Sequence, residues 1–239
     1  MPDAATNRGL NTSGGRGSGQ ETDWGMAVTT LLRKPQKSAR KAKGDGHLRR
    51  AEILDAAERI FVAEGYEGAT IRKIADEVGV SSTALYMHFA DKDAILLEIC
   101  DLAIERLLSI NTEISAQPID AVSRVRLMLD AYMSFALENP NTYLLVFCAP
   151  ATGAITMERQ AATQGLGERC FEKFAGVVHE IAADGRLRTG TAQSAAQALW
   201  AGCHGLVSLL IVKSGFHWAP AAELQAVMLD SLLYGLVTD

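Results

Sequence analysis

The chain has 239 residues, room for one or two domains at ~100–200 residues each. At 48% hydrophobic and 21% charged it can bury a core, which excludes a wholly disordered chain. Six prolines and 6% aromatic residues supply little for a turn-rich sandwich or barrel. The net charge of −5 excludes sequence-blind coating of nucleic acid but leaves room for a small local reading head. Charge is unevenly placed: residues 1–46 carry eight basic and four acidic side chains, 47–93 six and nine, and 94–239 nine and fifteen.

Cys100, Cys148, Cys170 and Cys203 form no CxxC pair and have no histidine at zinc-finger spacing. They read as buried thiols in a reducing compartment, and no metal or cofactor is expected. No secretory leader is expected, because the apolar stretch Trp24 to Leu32 precedes the basic residues instead of following them. The apolar run Leu199 to Val212 is interrupted by His204 and by Gly and Ser, and is short for the ~20 residues of a bilayer span. The expectation is a soluble cytoplasmic protein with no membrane partner.

Residues 1–46 read as a disordered basic tail. Gly9, Gly14, Gly15, Gly17 and Gly19 lie among Ser, Thr and Asn, a mix that buries too little to offset ordering entropy. From Arg33 to Arg50 there are eight basic residues and one acid. This stretch is either a solvated arm or one that follows DNA phosphates. Met26 is an alternative start that would remove much of the tail.

From His47 the pattern becomes helical. Ile53, Leu54, Ala57, Ile60 and Phe61 recur at three and four, opposite Arg49, Arg50, Glu52, Asp55, Glu58 and Arg59, which predicts an amphipathic helix. Gly65 stops it. Three short helical patterns follow Thr70, with turns at Gly79 and Asp91. A stripe from Ile95 to Leu107 continues until Pro118, and another runs from Val122 to Leu137. Asn139-Pro140 and Pro150 bracket Tyr143 to Cys148. Further helices are predicted over about 158–183, 191–213 and 220–237. The fold class is all-α: an N-terminal three-helix domain over 47–97 and a larger helical domain over 98–239.

Residues 70–89 meet several constraints at once. Ala75 is small enough for a close helix crossing, and Gly79 permits the positive φ of a tight turn. Ile71, Ile74, Val78, Val80 and Leu85 point to a shared core. Ser81 or Ser82 can cap the second helix. Together these describe a helix-turn-helix whose second helix enters the major groove. Thr70 caps the first helix and can hold a phosphate. Arg50 and Arg72 are basic candidates beside it. Ser81, Ser82, Thr83 and Ala84 open the recognition helix, where side chains reach bases or phosphates. Tyr86 is either half-buried structure or a phosphate contact, and His88 is a surface or phosphate contact ahead of core Phe89. Lys92 follows Asp91, an expected N-cap, at a helix start that disfavours cations. That placement points to a partner outside the helix, such as a DNA phosphate.

These residues carry a resemblance. Ile53-Leu54-Asp55-Ala56-Ala57, Phe61, Gly65-Tyr66, Thr70, Ile74-Ala75, Gly79-Val80-Ser81, Leu85-Tyr86, His88-Phe89, Lys92 and Ala94-Ile95-Leu96 closely resemble the DNA-binding domain of the tetracycline-repressor (TetR) family. The resemblance implies a homodimer on the palindromic operator of double-stranded DNA, usually repressing, and released when a small-molecule effector enters the C-terminal domain. It also implies phosphate contacts from Thr70, Tyr86 and Lys92, and base contacts from the Ser81 to Thr83 stretch. The family often has a small residue at position 83 and a hydroxyl at 84. Here Thr83-Ala84 places the hydroxyl one residue earlier, which leaves the base contacts open.

In the C-terminal half, Trp200, His204 and Gly205 resemble the Trp-His-Gly signature of one TetR subgroup. Gly202 and Gly205 weaken their helix by about 1 kcal/mol each relative to Ala, which points to close approach of another helix. His204 is either a satisfied core or interface histidine or a polar anchor in a ligand cavity. The last two helices carry broad apolar faces suited to a four-helix dimer interface. Tyr132, Phe135, Phe147, Cys148, Phe174, Trp200 and His204 are the candidate ligand-binding residues, and they suit an apolar effector. Catalysis is not expected, because the five histidines at 47, 88, 179, 204 and 217 show no metal or nucleophile–base spacing. The alternative within the family is an activator, or a regulator answering to a protein partner.

Overall fold

The computed structural model describes residues 46–147 and 157–238. The predicted basic tail, Met26 and Cys148 lie outside the described residues. Nine helices occur among those described: α1 (Gly46–Gly68), α2 (Ile71–Val78), α3 (Ser82–Tyr86), α4 (Lys92–Ser115), α5 (Ala121–Glu138), α6 (Pro140–Phe147), α7 (Met157–Ala183), α8 (Ala192–Val212) and α9 (Ala221–Leu236). No strand is present among them, only one isolated bridge between Leu187 and Val237.

The boundaries follow local chemistry. Gly65, at φ 72° and ψ 172°, interrupts α1. Thr70 caps α2 by accepting from the Lys73 N–H. Gly79, at φ 74°, closes α2 in the left-handed region, its N–H donating to the Asp76 carbonyl while that of Val80 donates to Ala75. Asp91 caps α4 by accepting from the Ala94 N–H at 2.7 Å, and Asp120 caps α5. Thr191 and Ser194 form a capping box at α8. Proline at the first position of α6 lacks an N–H the helix cannot use there.

α1, α2, α3 and the start of α4 enclose one core. Ile53, Ala57, Phe61, Ile74, Ala75, Leu85, Phe89, Ile95 and Ile99 are buried in it, with Ile71, Val78 and Val80 at its margin. Leu145 and Val146 of α6 pack against the same cluster, so the N-terminal unit leans on a helix of the C-terminal one. There α4, α5, α7 and α8 pack on one another, and α9 lies against α8 and α5.

Gly202 behaves as its type predicts: a Cβ there would fall 2.8 Å from Leu232 Cδ1, so α9 approaches α8 where a side chain is missing. A Cβ built at Gly205 would meet nothing within 4 Å among the described residues, so no described helix of this chain approaches α8 there. The apolar run judged short for a bilayer belongs to a longer helix, because Ala192 to Ala198 extends it. The 21 residues of α8 are long and apolar enough to span a membrane by length and composition, with a third of the window buried. Its inner face is ordinary core, with Leu199, Cys203 and Val207 fully covered.

Candidate nucleic-acid interface and internal cavity

The two helices α2 and α3 meet through the Gly79 turn and present one outward surface. Thr70, Arg72, Ser81 and Thr83 are exposed on it, and Ser82, Ala84 and His88 are partly covered. Ser81 supplies the α3 cap, accepting from the Ala84 N–H at 3.1 Å. Tyr86 is 55% exposed and Met87 84% exposed, so an aromatic and a thioether stand side by side at the end of α3. Met87 was not anticipated. Its signal is an apolar residue directly after Leu85-Tyr86 with no place left on the buried face. Arg72 is open to solvent beside a loose partner, Asp76, at 3.8 Å.

Arg50 and Lys92 are partly covered and bonded within the protein. The Arg50 guanidinium grips the Glu98 carboxylate with both arms, donates to the His88 carbonyl and lies 4.1 Å from the Phe89 ring centroid. It fastens α1 to α4 and to the end of the α3 turn. Lys92 Nζ donates to the Tyr66 carbonyl at 2.9 Å and the Ala69 carbonyl at 3.4 Å, and sits 3.9 Å from the Tyr66 ring centroid. The cation at this helix start is therefore held by the α1–α2 turn in the absence of DNA. Tyr66 in turn donates to Asp93. Burial first, then this carboxylate, raises the Tyr66 pKa above the ordinary phenol range.

A cavity of about 190 Å³ lies among α4, α5, α6, α7 and α8. Tyr132, Phe147, Phe174 and Trp200 line it as expected. Phe135 does not: it is 2% exposed, packed in the core, one turn along α5 from Tyr132. His204 also stands outside the lining, behind Tyr132. Its Nδ1 faces the Tyr132 hydroxyl at 2.8 Å and the Tyr143 hydroxyl at 3.0 Å. Two hydroxyls at one nitrogen suit an unprotonated Nδ1, and burial lowers the His204 pKa. His204 is partly buried and holds two tyrosine hydroxyls, one of them on the cavity-lining Tyr132. The lining includes residues that sequence reasoning missed, among them Asn111, Cys170 and Phe171. Burial pushes the Cys170 thiol up to about 11, against the lowering effect of the Asn111 amide.

α6 touches both places. Phe147 is part of the cavity wall and Tyr143 reaches His204 on α8. On its other side Thr142 donates to the Glu58 carboxylate of α1 at 2.6 Å. Glu58 and Thr142 are 9% and 6% exposed, so this bond is sheltered from water.

Comparison with known proteins agrees with this layout. Residues 53–99 match the model of bacterial regulatory proteins of the tetR family, and residues 125–232 match the tetracyclin repressor-like C-terminal domain. The chain belongs to the TetR family. The TetR match covers the helix-turn-helix and most of the helical domain, and makes the protein a DNA-binding transcriptional regulator. Its relatives include the nucleoid occlusion factor SlmA of Photorhabdus laumondii subsp. laumondii, 30% identical over 184 residues, 74% of this chain and 89% of that protein. Two solved structures share the TetR fold. PfmR of Thermus thermophilus has a TM-score of 0.66 at 22% identity, over 83% of this chain and 100% of that one. FadR of Bacillus subtilis, solved with stearoyl-CoA, has a TM-score of 0.66 at 18% identity, over 77% and 98%.

Proposed function

We propose that this TetR-family protein is a homodimeric repressor that binds a palindromic operator in cytoplasmic DNA and is released by a small, apolar effector. The observation that carries the reading is the double attachment of α6, with Phe147 in the cavity wall and Thr142 bonded to Glu58 of the head. An occupant that displaces Phe147 moves the element on which α1 rests. The effector must bind the incompetent arrangement better than the competent one, since equal affinity shifts nothing.

On this reading Thr70, Arg72, Ser81, Ser82, Thr83, Ala84, Tyr86 and His88 form the DNA-facing set, while Arg50 and Lys92 brace it. Dimerisation uses α8 and α9. Leu209, Val212, Val227 and Tyr234 are 49%, 55%, 57% and 79% exposed, an apolar surface that a second copy covers. Such a dimer sets two recognition helices about 34–36 Å apart, one turn of DNA.

The test uses Gly167, which lines the cavity and has nothing within 4 Å of a built Cβ. Gly167→Trp fills the cavity without a backbone clash. Operator affinity is expected to fall at least tenfold while the dimer persists in sedimentation. Unchanged affinity in a folded dimer contradicts ligand control through this cavity. It would favour a second reading, a DNA-bound regulator that answers to a protein partner.

A further inference from the structure

The cavity has an unusual lining for a chain so poor in aromatic residues. The protein has seven Phe, three Trp and five Tyr, and Tyr132, Phe147, Phe171, Phe174 and Trp200 meet here. Their rings stand edge-on or tilted to one another, with Tyr132 and Phe147 T-shaped at 6.0 Å and Phe171 and Trp200 tilted at 5.8 Å. That leaves ring faces and edges to receive another ring in the geometries aromatic pairs prefer. Among the described residues no lining side chain is Asp, Glu, Lys, Arg or His, so an ionised group entering it gains no counter-charge from them.

Polar groups in the wall are few. The Tyr132 hydroxyl is engaged by His204 Nδ1 at 2.8 Å. Asn111 is different. A primary amide offers two donors and one acceptor, and the side-chain hydrogen bond of Asn111 among the described residues is one long contact to Cys170 Sγ at 3.8 Å. Thiols accept weakly. An amide with this much spare capacity, set in a wall of rings, is placed to hold one oxygen of an occupant. The volume of about 190 Å³ is a little above the ~150 Å³ of a cavity that takes benzene.

We infer that the cavity binds a small, neutral, single-ring aromatic molecule whose carbonyl or hydroxyl oxygen is seated on the Asn111 amide. This rests on the effector reading above and narrows it from any apolar compound to one class. A volume of about 190 Å³ suits one ring better than a long chain, the lack of a counter-charge among the described lining residues disfavours carboxylates and phosphates, and Asn111 selects an oxygen-bearing ring over the bare hydrocarbon.

The experiment is calorimetric titration of the full-length protein, without DNA, with four probes: propiophenone, propylbenzene, 3-phenylpropanoate and 2-nonanone. Propiophenone is expected to bind, with propylbenzene about tenfold weaker, about 1.4 kcal/mol. Phenylpropanoate is expected at least a hundredfold weaker and nonanone at least fivefold weaker. Asn111→Leu should bring propiophenone down to the affinity of propylbenzene. Asn111→Asp, nearly isosteric, should weaken the ketone and leave the hydrocarbon in place if the Leu variant does not fold. Equal or tighter binding of the carboxylate or the alkyl ketone overturns the class. Retained preference for the ketone in the variants overturns the role of Asn111, and silence from all four probes overturns the inference as a whole. Because no DNA is present, the two claims separate. The expected binding pattern without release of operator leaves the cavity assignment standing and sinks ligand control. Silence from the probes with weakened operator binding in Gly167→Trp does the reverse.

Discussion

The Thr142–Glu58 hydrogen bond lets the proposed route from cavity to head be tested in isolation. Thr142→Val keeps the shape of the side chain and deletes the donor to a carboxylate that is 9% exposed. A hydrogen bond to a charged group contributes about 1.5–3 kcal/mol, and a buried acceptor left short loses it without compensation from water. At about 2–4 °C per kcal/mol for a chain of this size, a loss near 2 kcal/mol lowers the melting temperature by about 4–8 °C. Protein concentration must be held constant, because the stability of a dimer depends on it. Thr112→Val serves as control: its hydroxyl only back-bonds to the Leu108 carbonyl on an exposed surface, so its effect should stay within about 0.5 kcal/mol. Glu58→Gln and the double variant complete a cycle, in which a coupling of about 1 kcal/mol or more is expected. The functional consequence is sharper. In the Thr142→Val background, filling the cavity with Gly167→Trp should weaken operator binding by less than about threefold instead of tenfold or more. A stability loss below about 0.5 kcal/mol, or an undiminished effect of the filled cavity, refutes α6 as the transmitting element.

Three further outcomes are expected. Tyr86→Phe removes one exposed hydroxyl and should weaken operator binding about three- to tenfold, the cost of one hydrogen bond, while sedimentation shows the dimer intact; unchanged affinity at physiological salt removes Tyr86 from the interface. Deleting residues 1–43, which carry Arg33, Lys34, Lys37, Arg40, Lys41 and Lys43, should lower affinity and flatten its dependence on salt, by about one unit of slope for each phosphate the arm neutralises; an identical slope makes the arm a bystander. His204 has a folded pKa below its ordinary 6.5 through burial. The unfolded chain therefore takes up its proton first, and the stability contribution is whole above pH 6.5 and lost as pH falls through that value toward the folded pKa. His204→Asn should flatten the stability profile over that interval, and an unaltered profile would place the titration elsewhere.

Much of the fold is legible in the sequence because its signals are local. The 3.6-residue apolar spacing of Ile53, Ala57 and Phe61, the caps at Thr70, Ser81 and Asp91, and the left-handed Gly79 depend on residues within a turn or two of each other. The brace roles of Arg50 and Lys92 depend on partners 48 and 26 residues away, and no window on the chain brings Glu98 to Arg50. The cavity shows a different limit. Phe135 and Tyr132 belong to the same buried stripe of α5, and periodicity reports only that both are turned inward, not that one faces a void. Asn111 did leave a trace. It falls four residues after Leu107 and seven after Ile104, a polar side chain on an otherwise apolar stripe, and such a residue must find a partner or serve as one.

The most direct measurement is selection of bound duplexes from a random-sequence DNA library by the full-length protein at about 0.15 M salt, where screening suppresses weak, non-specific attraction. A dimeric regulator whose heads are the α2–α3 units should enrich one inverted repeat, its half-sites centred about one helical turn apart. Enrichment of a lone half-site would contradict the dimer, and a pool no different from the starting library would contradict DNA recognition by this protein.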